Sequence, residues 1–233
     1  MKLLMNFSFF IMFFSATVVN AASPDVELRD AASSGDTKKV AELLGQGVQV
    51  DSATRFGKTA LMLAAEEGHT DTIAVLLSRG ANVNARTRSG STPLTFAAEN
   101  GHASVTAMLV EFGANVHDRT REGWNSLMIA SRLGYDVIVA QLLEFGADVR
   151  SSDRKGNSPL MYAIETGKVK VIETLFRYSD LMAPCVPNGQ GVTPLMFAIE
   201  QGQDEVIDTL LPIRINIDFQ DDYGDTALHY AAA

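Results

Sequence analysis

The sequence predicts an all-α solenoid: stacked helix–turn–helix layers joined by β-hairpin-like connections. Three observations carry this. The stretch from Gly57 to Ser89 is restated from Gly90 to Glu122 at an offset of 33 residues. The same offset sets further starts at Gly123, Gly156 and Gly224, with one start slipped by two residues to Gly191. A fixed period of that length marks a stacked-repeat protein. Two residues after each start stands Thr59, Thr92, Asn125, Ser158, Thr193 or Thr226, each with a short side-chain oxygen able to cap a helix. Glycine then recurs at Gly35, Gly68, Gly101, Gly134, Gly167 and Gly202, where a left-handed turn ends a helix without a Cβ penalty.

Within a layer, Pro93, Pro159 and Pro194 follow the cap at the first helical position, which tolerates proline best. The first helix is expected to bury Leu94, Ala97, Ala98 and their counterparts. A second helix follows, with apolar residues at helical spacing such as Val105, Met108 and Leu109, or Ile138, Leu142 and Leu143. Gly80, Gly113 and Gly146 end it, and an extended segment such as Asn82-Val83-Asn84 turns the chain out and back. The paired alanines let the helices lie close, and each layer covers its neighbour's apolar face.

The ends and one connection depart from the period. Pro24 to Phe56 keeps Leu28, Ala31, Ala32 and Gly35, but places Val26 at the cap position beside Glu27, Arg29 and Asp30. It reads as an N-terminal capping repeat with a polar outer face. The segment Ser179 to Pro187 carries two prolines and two extra residues, which predicts an irregular loop. The chain stops at Ala233 inside the first helix of a partial repeat, so the expectation is a sequence that continues further.

Met1 to Ala21 reads as a signal peptide. Lys2 supplies the positive start, Leu3 to Val19 is mostly apolar, and Val19-Asn20-Ala21 offers a cleavage site after Ala21. The apolar run is shorter than the roughly 20 residues a membrane-spanning helix needs, and Asn6 and Ser8 interrupt it. Residues 22–233 form the repeat domain, with repeats from 24, 57, 90, 123, 156, 191 and a partial one from 224. The formal net charge of -9 argues against nucleic acid and against anionic membranes as partners. Cys185 is the only cysteine, so no disulfide forms within the chain.

The pattern resembles the ankyrin repeat. The residues carrying the resemblance are Thr92-Pro93-Leu94, Ala97-Ala98, Gly101-His102, Leu109 and Gly113-Ala114-Asn115, repeated along Pro24 to Ala233. It implies a solenoid with projecting hairpins that binds other proteins through its concave hairpin-and-first-helix face. It also points to exported bacterial members, hence to the periplasm, with an extracellular location as the alternative. The chain departs from the family at the first-helix histidine, which is Met62, Met128, Met161 and Met196 here and returns only as His229. Thioether packing is expected in its place.

No catalytic, cofactor or metal site is expected. His69 and His102 hold the family's Gly-His turn position, and layers about 10 Å apart cannot share one ion between them. His117 lacks a ligand partner at metal-binding spacing, and the chain has no GxSxG and no phosphate-cradling glycine loop. The methionines face the stack as core. Phe112, Phe145 and Tyr178 are expected to close the bottom of each layer.

The exposed face offers more. Arg55, Arg88, Arg121 and Arg154 recur two positions before each repeat start and should project from successive hairpin tips. Lys58, Arg86, Arg119, Arg150 and Lys155 thicken this basic row. Beside it lie Trp124, the sole tryptophan, and Phe56 and Leu133 at positions the family leaves variable. Tryptophan and arginine dominate interface hot spots. The expected partner is a protein with an acidic surface, bound by an adaptor or scaffold. Two alternatives stay open: a secreted effector binding host proteins, and a module that self-associates through its C-terminal face or Cys185.

Overall fold

The computed structural model describes residues 23–178, 185–213 and 216–233. The expected signal peptide lies outside the described residues, as do the first six residues of the irregular connection. Among the described residues the chain forms helices and no strand. They come as pairs: α1 (Pro24–Ser34) with α2 (Thr37–Gly45), α3 (Ala60–Glu67) with α4 (Thr70–Ser78), and α5 (Pro93–Glu99) with α6 (Ala103–Glu111). Next come α7 (Ser126–Leu133) with α8 (Asp136–Glu144), α9 (Pro159–Glu165) with α10 (Val169–Arg177), and α11 (Pro194–Glu200) with α12 (Asp204–Leu210). A final α13 (Ala227–Ala232) follows. First helices pack on first helices and second on second, giving two parallel rows.

The core lies between the rows. Leu28, Leu61, Leu94, Leu127, Leu160 and Leu195 are buried, one per layer, with the small residues beside them. Truncating one of these leucines to alanine is expected to cost ~2–5 kcal/mol, because neighbouring layers cannot collapse fully into the gap. Five of the expected caps accept a hydrogen bond from the third helical N–H: Thr59, Thr92, Asn125, Ser158 and Thr193. The first helix differs from its register. It starts at Pro24, a turn earlier than its counterparts, because Ser23 is extended and Pro24 fits the first helical position.

The residue in the family's histidine position does more than pack. It answers the N–H of the capping residue, through Met62 Sδ at 3.4 Å, Thr95 Oγ1 at 2.7 Å, Met196 Sδ at 3.3 Å and His229 Nδ1 at 3.0 Å. At Met62 and Met196 the thioether therefore keeps the hydrogen bond, as a weak acceptor, where packing alone was expected, while Met128 and Met161 are buried in the core as expected.

The Gly-His turn locks neighbouring layers. His69 Nε2–H donates to Ser33 O at 3.0 Å, and His102 Nε2–H donates to Glu66 O at 2.9 Å. Gly68 has φ +80°, and a Cβ there would sit 2.6 Å from His102 Nδ1. Glycine is needed both for the left-handed turn and for the close approach of the ring.

Each hairpin tip is built alike. A backbone bond of 2.8–3.0 Å closes it, from Thr54 N–H to Lys58 O and at the same step in five further tips. The same six residues also accept, through Oγ1 of Thr54, Thr87 and Thr120 and Oδ1 of Asp153, Asn188 and Asp221, from the N–H four residues on. Tips are stitched in sequence by Arg88 N–H to Phe56 O and Arg121 N–H to Ser89 O. Two expectations change here. Asn82-Val83-Asn84 is a tight turn, since Asn82 Oδ1 accepts from Asn84 N–H at 3.0 Å. Phe112, Phe145 and Tyr178 do not close the layers: they cap the second helices beyond the last packed turn and are 54%, 40% and 42% exposed.

Candidate protein-binding face

Hairpin tips and first helices share one face, and three hollows run along it. Phe56, Lys58, Arg88, Phe96 and Arg121 lie at the first, of about 600 Å³. Glu99, Trp124, Arg132 and Leu133 lie at the second, of about 240 Å³. Trp124, Arg132, Arg154, Lys155, Tyr162 and Phe197 lie at the third, of about 430 Å³. Eight of the nine candidate contact residues are thus brought to these hollows. The ninth, Arg55, stands on its tip with its guanidinium 4.5 Å above the Phe56 ring.

The tip arginines are exposed, as expected, and among the described residues Arg55, Arg88, Arg121 and Arg154 form no ion pair. Three other members of the basic row, Lys58, Arg86 and Arg119, are engaged. Lys58 Nζ sits 2.5 Å from Glu66 Oε2 and 4.7 Å above the Phe96 ring, so its charge is neutralised within its own layer. Arg86 donates to Arg119 O and pairs with Asp118 at 3.1 Å, and Arg119 donates to Ser152 O. These two arginines brace one connection against the next and do not thicken the free row.

A second charge ladder was not singled out from the sequence. Glu66, Glu99, Glu165 and Glu200 occupy the same position near the end of successive first helices, and the intervening layer has Arg132 there. The 33-residue offset that found the arginines would have found these as well. Glu66 is paired with Lys58, and Glu165 with Arg132 at 3.5 Å. Glu99 and Glu200 form no ion pair among the described residues.

Trp124 sits where the hollows meet. Its ring lies 4.2 Å from that of Tyr162, tilted by 42°, and Arg132 Cζ stands 5.5 Å from its centroid. The indole is therefore partly buried against the next layer while it still lines two hollows. Tyr162 is held in turn: its hydroxyl donates to Asp153 Oδ2 at 2.6 Å, and burial followed by this bond pushes the phenol far above its ordinary value. Asp153 thus ties a hairpin tip to the platform beneath Trp124. Leu133 is 42% exposed beside the middle hollow.

Cys185 is half-buried, and burial pushes its thiol up to about 11, so it stays protonated near neutral pH. Among the described residues no group of three His, Cys, Asp or Glu side chains is placed to hold a metal ion. No helix there is long and apolar enough to cross a membrane.

Paired helices stacked in two rows, with hydrogen-bonded tips along one edge, define a repeat solenoid. A family model described as ankyrin repeats, in three copies, matches residues 28–120, 108–185 and 180–233, and the chain belongs to the ankyrin-repeat family. Repeats of this family generally mediate protein–protein interaction and are typically non-enzymatic. No curated protein matches the chain.

Proposed function

We propose that the chain is an exported adaptor that binds a protein partner with an acidic surface, through the tip arginines and the Trp124 platform. The observation that carries this is the unpaired state of Arg88, Arg121 and Arg154 among the described residues, on the rims of hollows floored by aromatic rings. Elsewhere the molecule carries excess negative charge, at -9 overall. A cationic row on an anionic body attracts acidic partners at the row and repels them elsewhere, which fixes where they dock. Export rests on Met1 to Ala21, and the periplasm is the compartment proposed.

Cell fractionation followed by pull-down tests both parts. The tagged chain, Trp124→Ala and Arg121→Glu are used as bait in periplasmic extract. The parent is expected to recover a partner that both variants lose, with Trp124→Ala weakening it by ~2 kcal/mol. Equal recovery by all three would sink the surface, and confinement of the chain to the cytosol would sink export.

A further inference from the structure

We propose that the corner formed by Trp124, Tyr162 and Glu165 is a subsite for an arginine side chain of the partner, occupied in the free protein by this chain's own Arg132. The inference rests on the reading of this face as the binding face and adds a second chemistry to it.

Arg132 breaks the glutamate ladder in the one layer that carries tryptophan. Its guanidinium meets the two elements that recognise such a group, a ring face at 5.5 Å from Trp124 and a carboxylate at 3.5 Å on Glu165. The corner therefore already shows how a guanidinium fits. The hold is loose: a single long contact joins side chains that are 48% and 41% exposed. Thr166 Oγ1 donates to the Arg132 carbonyl at 2.8 Å, which fixes its backbone and leaves its side chain free to leave. An internal ligand held this weakly can be exchanged for an external one.

Charge around the third hollow fits the exchange. Its lining holds Glu122, Asp153 and Glu165 against Arg132, Arg154 and Lys155. With Arg132 swung out, the carboxylates exceed the cations by one, and an entering guanidinium restores the balance. Asp153 is engaged by its own tip and by Tyr162, and of the other two carboxylates Glu165 is the one that holds the Arg132 guanidinium in the corner. Arg154 and Lys155 at the rim repel an isolated cation, so the residue recognised is an arginine flanked by carboxylates. The partner's acidic segment would thus present one arginine to this layer.

Trp124 is the only tryptophan, so its fluorescence reports the corner directly. The full chain is titrated with the peptide acetyl-Asp-Arg-Asp-amide and with its isostere acetyl-Asp-citrulline-Asp-amide. Arg132→Ala is expected to bind the arginine probe about tenfold more tightly than the parent, because the competing occupant is gone. Arg132→Gln, which keeps most of the stem, should do the same if Arg132→Ala disturbs the indole. The gain should vanish in the double variant with Glu165→Gln, and the citrulline probe should show none. No gain in either variant, or an equal gain for both probes, overturns the proposal. Binding of polyglutamate reads the tip arginines separately. Its loss alongside a retained arginine gain rejects the acidic-partner reading only, and the reverse rejects the subsite only.

Discussion

Ser131 is fully buried, and among the described residues its hydroxyl has no hydrogen-bond partner. It occupies the second small position of α7, where other layers have Ala65 and Ala98. A buried donor left unpaired carries its full desolvation penalty, so Ser131→Ala is expected to stabilise the fold by about 1 kcal/mol. A raised urea midpoint with an unchanged slope checks it. A lowered midpoint would mean that the hydroxyl finds a partner after all. The small size wanted at this position was legible from the paired alanines, but its unsatisfied state was not. The same holds for Met62 and Met196: the residue type was legible, and the N–H bonded to sulfur depended on a capping geometry that only folding creates.

At the scale of the element, the hairpin tip is the unit that presents the site. Two tips are tied to the following first helix by a tyrosine, Tyr162 to Asp153 at 2.6 Å and Tyr230 to Asp221 at 2.8 Å. Burial first, and then the aspartate bond, push the Tyr230 phenol up to about 12. The Tyr162 phenol rises further for the same reasons. Burial opposes ionisation of Asp221, yet the Asp225 N–H and the Tyr230 hydroxyl, with the Tyr223 and Gly224 N–H groups, outweigh it and hold the carboxyl below its ordinary value. A raised phenol contributes stability that is fully present below its ordinary value near 10 and is lost as pH rises through the folded value. Phenolate absorbance during an alkaline titration should therefore show late-titrating tyrosines, and Tyr162→Phe should remove late amplitude only. Loss of early amplitude instead would show that the tip is not locked. The threonine, asparagine or aspartate three residues before each start glycine was readable as a pattern in the sequence. Its pairing with tyrosine nine residues on was not, because it requires the hairpin to fold back over the helix.

Across the whole molecule, charge is segregated. A chain of net -9 carries Arg55, Arg88, Arg121 and Arg154 on successive hairpin tips, and among the described residues these four form no ion pair. Exposed charges at such separations act through solvent and are screened over about 10 Å at 0.1 M salt. Binding of polyglutamate to the full chain should therefore weaken by about tenfold between about 0.05 and about 0.3 M salt. Arg88→Gln and Arg121→Gln should flatten that dependence, measured as the slope of log affinity on log salt. A slope unchanged by these variants would place the acidic ligand elsewhere on the surface.

The sequence by itself determined the layers. Their period, caps, closing glycines and buried leucines are local signals, and in a solenoid each layer meets only its neighbours, so local pattern fixes the stack. It also placed the tip arginines, because a 33-residue offset carries a residue to the same spot on the next layer. Tertiary structure decided which charges are available. Lys58 is neutralised by Glu66, Arg86 and Arg119 are drawn into bracing, and Arg132 leans on Trp124 and Glu165. Those outcomes depend on distances between side chains of hairpin and helix, or of adjacent layers, and no single repeat spells them out.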